Sequence, residues 1–396
     1  MNAASKEQVI RAQAAIDWSS NRSPILARVT SMVAASGRLH GRRIAVVTHL
    51  EPKAAAFICR MAETGAKVLV SGSNPHTTRA SVVQALRDRD HQVFASGEAT
   101  MDAFEADMRD IRRATPDIIL DDGAELTTRL VREGGTPTLM GVSEQTTTGV
   151  TRLRELEVRG LLSFPALAGN DAASKRLFDN RHATGQGFVH AFMGLTNLTL
   201  LGKGVLVFGY GPVGRGVAQY ARSFGARVSV VEIDPLRGLE AHVDGFQVVS
   251  GEAGLPATDV LVTATGRAAV VGRRDFPLLK HGAILCNVGH AGGEIDVKGL
   301  EDTAHSRRTV RPHVTAYTMP NEREVYVLTS GELVNIAGAE GHPIEIMDLS
   351  FSVQMLGAYH LAAGSLESGM HSLPPELDAL VAREALTELG IELGHV

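Results

Sequence analysis

The sequence has 396 residues, of which 44% are apolar and 21% charged, a globular composition whose length suggests roughly two or three domains. Its net charge of −5 gives no reason to expect nucleic acid or an anionic membrane as a partner. The two cysteines, Cys59 and Cys286, lie in apolar stretches, and the sequence has neither a secretory h-region nor an apolar run near the ~20 residues that span a bilayer. A cytoplasmic protein without disulfides is therefore expected.

The first part of the chain alternates between strand and helix patterns. Residues 5–36 have the pattern of two helical pieces, broken near 21–24. Strands are then predicted at 43–47, 68–71, 92–95 and 117–120, and helices at 52–63, 80–88 and 101–114. This alternation predicts a parallel sheet with helices on both faces, and ligands bind beyond the carboxyl ends of such strands. His49, Asn74 and Asp122 each follow a predicted strand.

Two polar segments come next. The segment 141–150, GVSEQTTTGV, is predicted as a polar turn with three consecutive threonines. Within 170–180, NDAASKRLFDN, Lys175 and Asp179 are spaced i,i+4, so a helix would place them on one face. A long helix is predicted at 187–198.

Residues 202–234 carry the most informative single pattern. An apolar strand leads into Gly209-Tyr-Gly211-Pro-Val-Gly214, a helical pattern follows, and a second apolar strand ends at Glu232. In a dinucleotide-binding turn, such glycines allow the tight bend, backbone approach to a pyrophosphate and close helix packing. Glu232 stands where an acid accepts both ribose hydroxyls and would repel a 2′-phosphate, so NAD is the predicted cofactor.

Strands continue to alternate with other segments after this turn. They are predicted at 245–249, 260–263, 283–288 and 309–314, followed by a hinge at 331–342, a helix at 348–363 and a helical region at 374–393. The predicted fold class is α/β, with two doubly wound parallel-sheet domains, the second an NAD-binding Rossmann domain. The predicted domains are a substrate-binding domain at 1–181 that is completed by 343–373, the NAD-binding domain at 182–342, and a C-terminal helical segment at 374–396.

Several chemistry-bearing residues, taken singly, admit a structural or a functional interpretation. Lys175 and Asp179 could form an ordinary surface pair, and Asp122 could belong to a turn. His49 and His290 could be satisfied structural histidines. Taken together, they suggest a Lys and an Asp beside a nicotinamide, where they can take the proton of an alcohol while its hydride leaves. No metal site is predicted, because no ligands recur at a suitable spacing.

These stretches, in this order, resemble the S-adenosylhomocysteine hydrolase (adenosylhomocysteinase) family. The similarity extends from about Arg43 to about Leu361 and is far more specific than a glycine turn. The matching stretches are His49, LDDGAELT (120–127), GVSEQTTTGV (141–150), NDAASKRLFDN (170–180), the glycine region through EIDP, TATG (263–266), CNVGHAGGEIDV (286–297), LVNIAGAEGHP (333–343) and the helix with Ser350 to Gln354.

The resemblance implies that NAD stays bound and is used in an internal redox cycle. The nucleoside 3′-hydroxyl is oxidised, C4′ loses a proton, the 5′ substituent is eliminated, water adds, and the ketone is reduced again. Lys175 and Asp179 would handle the 3′-hydroxyl. His49 and Asp122 would assist proton transfer, and His290 would border the nicotinamide. The residues that the resemblance assigns to NAD are Thr146, Thr147, Thr148, Asn180, Gly209, Gly211, Pro212, Val213, Gly214, Arg215, Gly216, Glu232, Val288, Gly289 and Asn335.

Several positions depart from the family's pattern, and one of them is Ala291, which replaces a Phe. Gln145 replaces a Glu, and an amide cannot act as a base. Glu51 replaces a Thr that touches the sugar, and Lys53 replaces a Glu that reads the adenine amino group. Glu340 replaces a Met. Two alternatives follow: Lys53 and Glu340 form an ion pair, or both contact a differently placed purine or sugar. Thr184 replaces a Cys. The predicted substrate-binding residues are Glu51, Lys53, Gln145, Glu340 and His342.

The predicted function is the family's nucleoside chemistry on an altered substrate. It comprises NAD-dependent 3′-oxidation, C4′ deprotonation and elimination of the 5′ substituent, with dehydration to an unsaturated nucleoside as one form. The alternatives are authentic adenosylhomocysteine hydrolysis, a non-catalytic NAD-binding regulator of the same fold and a simple NAD-linked dehydrogenase. A small-molecule nucleoside is the predicted partner, with no nucleic acid and no membrane, and a homo-oligomer (dimer or tetramer) is expected.

Overall fold

The computed structural model describes residues 4–97, 100–134, 138–290 and 293–394. The chain forms two compact units, here the first unit (Met1–Arg176 with Ile344–Val396) and the second unit (Leu177–Pro343). These limits fall within a few residues of the predicted ones after 181 and 342. The C-terminal segment 374–396, predicted as separate, groups with the first unit, because its helix packs into that unit's apolar core through Val381.

Strands and helices alternate through the first unit. Its strands are β1 (Arg43–Thr48), β2 (Lys67–Gly72), β3 (Gln92–Val93), β4 (Ile118–Asp121), β5 (Gly141–Glu144), β6 (Pro165–Leu167) and, after the second unit, β15 (Gly369–His371). Its helices are α1 (Lys6–Asn21), α2 (Pro24–Ser36), α3 (Pro52–Glu63), α4 (Ala80–Arg87), α5 (Met101–Arg113), α6 (Glu125–Arg132), α7 (Thr147–Val158), α14 (Ile344–Leu361) and α15 (Pro375–Glu388). The two helical pieces predicted within 5–36 are confirmed, and Pro24 begins the second at a position that needs no N–H donor.

The described strands of the first unit form one parallel sheet in the order β15-β6-β5-β4-β1-β2-β3. The strand order reverses between β1 and β4, where Ile44 pairs with Ile118. Successive residues of β1 enter two apolar clusters, one with α1–α4, α14 and α15, the other with α5–α7. Helices therefore cover both faces, as a parallel sheet requires. The reversal opens a crevice beyond the strand ends, the usual ligand site of such sheets.

The second unit repeats this plan. Its strands are β7 (Gly204–Phe208), β8 (Arg227–Val231), β9 (Gln247–Val248), β10 (Val260–Thr263), β11 (Ala283–Asn287), β12 (Ser306–Arg311), β13 (Val314–Thr318) and β14 (Glu324–Leu328). Its helices are α8 (Thr184–Thr196), α9 (Pro212–Ser223), α10 (Pro235–Val243), α11 (Gly251–Gly254), α12 (Val297–Thr303) and α13 (Val334–Ala337). The strand order, β12-β13-β14-β11-β10-β7-β8-β9, reverses between β7 and β10. In the parts of both units that the structure describes, no helix combines the length and apolarity needed to cross a bilayer.

Three local predictions were wrong. The strand predicted at 309–314 runs across the turn of the antiparallel hairpin β12–β13, which extends an otherwise parallel sheet. The polar turn predicted at 141–150 begins with strand β5, whose buried Ser143 and Glu144 conceal the strand pattern. The segment 170–180 enters the π-helix Lys175–Ala183 instead of the regular α-helix on which the i,i+4 argument depends.

Candidate active site

Three of the predicted site residues lie together at the strand-order reversal of the first unit. His49 follows β1, Asp122 follows β4 and Gln145 follows β5. The Gln145 amide donates a hydrogen bond of 2.7 Å to Asp122 Oδ2, and His49 Nε2 lies 3.7 Å from the same oxygen. Asp122 is 2% exposed and His49 9% exposed, so they form a sheltered acid–base pair. An amide at position 145 supports the carboxylate of Asp122, which a second acid there would repel.

Thr77 orients the ring of His49. His49 Nδ1 lies 2.6 Å from Thr77 Oγ1, and the Thr77 hydroxyl donates to the Asn74 carbonyl at 3.2 Å. When the Thr77 hydroxyl donates to that carbonyl, its oxygen is left to accept from His49, an arrangement in which the neutral ring has its proton on Nδ1. Nε2, on the side of Asp122, is then the basic nitrogen.

A fully buried carboxylate ties two loops of this site together. Glu144 Oε1 accepts from the N–H groups of Gly123 and Thr146, at 3.0 and 2.8 Å, and Oε2 accepts from the Ala124 N–H at 2.7 Å. Burial, together with the like charge of nearby Asp121, raises the pKa of Glu144 well above its usual value. Glu144 thus joins the loop after β4 to the loop after β5, the two loops that carry the acid and the amide.

A second charged pair marks the beginning of α3. Glu51 caps this helix by accepting from the backbone N–H groups of Lys53 and Ala54, at 3.1 Å each. Glu51 Oε2 also lies 2.6 Å from Lys53 Nζ, and both side chains are less than one-tenth exposed. The two charges are therefore neutralised within the first unit, a pairing that the sequence analysis missed. The predicted pairing of Lys53 with Glu340 stays a prediction.

The remaining predicted residues of the first unit lie at helix starts. Lys175 begins the π-helix Lys175–Ala183 and is 8% exposed. Thr146 caps α7, its hydroxyl accepting from a backbone N–H of the first turn at 3.0 Å, and Thr147 and Thr148 belong to that turn. Helix N-termini offer backbone N–H groups to polar and anionic ligands, so these threonines suit the role assigned to them.

The reversal point of the second unit holds the glycine turn, between β7 and α9. Gly209 has a φ of +94°, which L side chains rarely adopt. A Cβ at Gly214 would lie 1.9 Å from Gly209 O, so α9 can follow the turn only with glycine there. A Cβ at Gly211 would meet, within the described structure, only Arg237 Nη1 at 3.7 Å. The space over the turn is thus open, and a pyrophosphate fits it at the N-terminus of α9.

Glu232 is held at the end of β8 by backbone donors. Its Oε2 accepts from the Tyr210 N–H at 2.6 Å, and its Oε1 accepts from the N–H groups of Ile233 and Asp234, at 2.7 and 2.9 Å. This arrangement fixes a carboxylate beside the glycine turn, where it suits two ribose hydroxyls and disfavours a 2′-phosphate. The residues present therefore fit NAD.

A second histidine–carboxylate pair lies within the second unit. His342 Nδ1 is 2.5 Å from Asp179 Oδ1, and His342 Nε2 is 3.0 Å from Asn335 Nδ2. Because the amide donates to Nε2, the ring proton is on Nδ1 and points to Asp179. Asn335 is 1% exposed, and its Oδ1 has no hydrogen-bond partner among the residues that the structure describes. A bound polar group such as a carboxamide would satisfy this buried acceptor.

A buried asparagine shapes the turn after β11, where residues 288–290 lie. Asn287 Oδ1 accepts from the Thr263 hydroxyl at 3.0 Å and from the Gly289 N–H at 2.9 Å. Its Nδ2 donates to the Gly289 carbonyl at 3.0 Å. Each of these bonds fixes the backbone from which Val288 and His290 project.

The structure groups the predicted site residues within each unit. In the first unit it brings together His49, Asp122 and Gln145, and separately Glu51 with Lys53. In the second unit it brings together Asp179, His342 and Asn335, and separately the glycine turn with Glu232. Arg215, which the resemblance assigns to NAD, directs its guanidinium to Asp244 at 3.0 Å, and its backbone N–H donates to the Gly211 carbonyl at 2.9 Å.

Two residues that shape the site, Thr77 and Asn287, are not among those predicted from the sequence. Thr77 lies in the loop after β2 and reaches His49 only because β1 and β2 are neighbours in the sheet, so no local pattern reveals it. Asn287 offered a usable signal, because it is a polar residue that ends an otherwise apolar strand.

Two doubly wound α/β units, a dinucleotide-binding turn and sheltered histidine–carboxylate pairs define an NAD-dependent enzyme. The family model described as "S-adenosyl-L-homocysteine hydrolase, NAD binding domain" matches residues 180–341. The model described as "S-adenosyl-L-homocysteine hydrolase" matches residues 7–138. The chain belongs to the S-adenosyl-L-homocysteine hydrolase family, which confirms the resemblance drawn from its motifs.

Relatives with curated functions match over nearly the whole chain. The adenosylhomocysteinase of Archaeoglobus fulgidus is 40% identical over 385 residues, which cover 96% of this chain and 95% of the relative. The adenosylhomocysteinase of Thermotoga maritima is also 40% identical over 385 residues, with the same two coverages. The S-inosyl-L-homocysteine hydrolase of Methanosarcina mazei is 40% identical over 390 residues, which cover 98% of this chain and 94% of the relative.

Proposed function

We propose that this enzyme applies the family's chemistry to a nucleoside other than S-adenosylhomocysteine. The steps are transient oxidation at C3′, removal of the C4′ proton and elimination of the 5′ substituent. The observation that carries this proposal is the sheltered pair of His49 and Asp122, supported by Gln145 at the strand-order reversal of the first unit. A buried acid–base pair at such a position is suited to proton transfer on a bound ligand.

Each proposed step has a residue of this chain to move the proton. Bound NAD would accept the hydride of C3′ and later return it. While C3′ is oxidised, the neighbouring C4′–H bond is acidic. Lys175 and Asp179 would hold the 3′-hydroxyl and take its proton. His49 Nε2, basic when the ring proton is on Nδ1 beside Thr77, would take the C4′ proton while Asp122 stabilises the resulting imidazolium. The same ring would then return the proton to the 5′ leaving group.

The Glu51–Lys53 pair supports a changed substrate. Lys53 Nζ is only a donor, so it cannot accept a hydrogen bond from an adenine amino group. It would donate to a carbonyl or hydroxyl oxygen, while Glu51 would accept from a ring N–H or a hydroxyl. The Methanosarcina mazei relative is named for S-inosyl-L-homocysteine, whose base has a carbonyl and a ring N–H. We therefore favour a nucleoside with an oxygen where adenosine has its amino group.

Dehydration is a second candidate, which Gln145 favours. An amide neither takes nor gives a proton near neutral pH, so within this cluster only His49 and Asp122 can activate water. A nucleoside with a free 5′-hydroxyl would lose water by the same elimination. Return of the hydride before water adds again would leave an unsaturated nucleoside.

The test follows bound NAD and C4′ during incubation with a nucleoside panel. The panel contains S-adenosylhomocysteine, S-inosylhomocysteine and nucleosides with a free 5′-hydroxyl. At least one member should produce the NADH absorbance band transiently, and solvent deuterium should enter C4′ of the recovered nucleoside, measured by mass spectrometry. Absence of deuterium with every member would exclude the elimination, and the product mass distinguishes hydrolysis from dehydration.

Lys175→Ala should lower the rate of NAD reduction by about 10³-fold, because the 3′-hydroxyl loses its proton acceptor. Stopped-flow absorbance with the best substrate of the panel measures this rate. Arg176→Ala, which changes the exposed neighbouring cation, is the matched control and should match the wild type. A Lys175→Ala protein that reduces NAD at the wild-type rate would exclude the proposed role of Lys175.

A further inference from the structure

Helix α15 supplies a carboxylate to the segment that precedes Lys175. Asp378 Oδ2 accepts from the Ala173 N–H at 2.6 Å, although the two residues are 205 positions apart in sequence. Asp378 Oδ1 accepts from the Ser174 N–H at 3.1 Å and from the Ser174 hydroxyl. The first N–H groups of a helix have no intrahelical acceptor, so Asp378 acts as an N-terminal cap from a distant part of the chain.

The capped residues lead directly into Lys175. The N–H groups of Lys175 and Arg176 both donate to the Ala172 carbonyl, at 3.1 and 2.9 Å, and close the turn. Lys175 itself is buried, with 8% of its surface exposed. A displacement of the turn would displace Lys175 Nζ, and a misplacement of about 1 Å at a reacting centre can cost about 100-fold in rate.

Other contacts hold the C-terminal part of the chain in place. Arg28 Nε lies 2.7 Å from Glu384 Oε2, and Arg28 Nη2 donates to the Glu384 carbonyl at 2.9 Å. Upstream, β15 pairs in parallel with β6, and the His371 carbonyl accepts from the Ala168 N–H at 2.8 Å. The C-terminal part thus fixes the segment 168–174 at both of its ends.

We infer that Asp378 is a positioning residue for Lys175 and acts through the capped turn. This inference rests on the proposed function, since it concerns the residue to which that function assigns the 3′-hydroxyl. Two carboxylate oxygens accept all three hydrogen bonds from Ala173 and Ser174. An asparagine would direct its amide hydrogens toward at least one of these donors, so Asp378→Asn disturbs the turn with almost no change in volume.

The test compares Asp378→Asn with changes at two other acids of α15. Asp378→Asn should slow NAD reduction by at least about tenfold, with an unchanged KM for the nucleoside. Glu376→Gln, in the same first helical turn, should match the wild type. Glu384→Gln weakens the link to Arg28 and should lower the thermal midpoint without slowing NAD reduction. Asp378→Glu keeps the carboxylate and should recover part of the rate.

Hydrogen exchange provides a readout that does not depend on the substrate. The amides of Ser174 and Lys175 should exchange at least about tenfold faster in Asp378→Asn than in Glu376→Gln. Unchanged exchange, an unchanged rate of NAD reduction, or rate losses that follow the thermal midpoint across all variants would each overturn the positioning role alone. A wild-type protein that reduces bound NAD with no member of the panel would overturn the proposed function, and this inference with it.

Discussion

The two units share the strand order around the reversal point but line that point with different groups. In the first unit, side chains line the reversal between β1 and β4, among them His49, Asp122 and Gln145. In the second unit, the reversal between β7 and β10 holds a backbone turn over which Gly211 leaves open space. Backbone groups stay the same when a residue is substituted, so a site lined by backbone keeps its binding properties. A single substitution can change the charge and hydrogen bonding of a site lined by side chains. None of the departures from the family's pattern named above falls in the glycine turn.

The largest effect is expected at the glycine turn of the second unit, where the backbone lines the site. Gly214→Val should weaken NAD binding by at least about 10⁴-fold, because the added Cβ would overlap Gly209 O and open the turn. Equilibrium dialysis with NAD measures the affinity. Gly194→Ala, in α8 where a Cβ meets nothing within 4 Å of it in the described structure, is the control and should bind NAD normally. Wild-type affinity in Gly214→Val would show that the turn does not hold the nucleotide.

A smaller effect is expected from a buried side-chain pair of the first unit. Lys53→Met should lower the free energy of unfolding by about 3–5 kcal/mol, because it leaves the buried carboxylate of Glu51 without its ammonium partner. Adding Glu51→Gln should restore a large part of the loss, since no uncompensated charge then remains. Urea unfolding followed by the fluorescence of Trp18, the single tryptophan, reports on the first unit. Additive losses in the double variant would contradict a coupled pair.

The smallest effect concerns a buried carboxylate of the first unit away from the proposed chemistry. Asp348 of α14 accepts from the N–H groups of Ile25 and Leu26, at 3.0 and 2.7 Å, and so caps α2. Burial raises the pKa of Asp348 from 3.8 to about 6, so the folded protein holds this proton at a pH where the unfolded chain has lost it. The contribution of Asp348 to stability is therefore greatest below pH 4 and falls as pH rises to about 6.

Asp348→Asn removes this titration. Because one pKa unit corresponds to about 1.4 kcal/mol, the wild type should lose about 3 kcal/mol relative to the variant between pH 3 and pH 7. Urea unfolding of both proteins across this range, again followed by Trp18, measures the difference. Parallel stability curves for the two proteins would contradict the raised pKa.

The comparison also explains which parts could be predicted from the sequence. The glycine turn and Glu232 depend on backbone conformation and local spacing. A local sequence pattern was therefore enough to predict both. The pairing of Glu51 with Lys53 was missed although the helix start at Pro52 was predicted, because Lys53 was expected to pair with Glu340 or to read the ligand. The bond from Thr77 to His49 depends on strand neighbours, which no local pattern encodes.

Strand β15 and helix α15 complete the first unit only after the whole second unit has intervened in the chain. On a ribosome, the second unit is therefore fully synthesised while the first still lacks an edge strand and the cap before Lys175. Nascent protein can acquire a complete nucleotide-binding unit before the turn that carries Lys175 is secured. Premature termination near the 3′ end of the message would thus yield a protein able to hold the dinucleotide yet poorly equipped to use it.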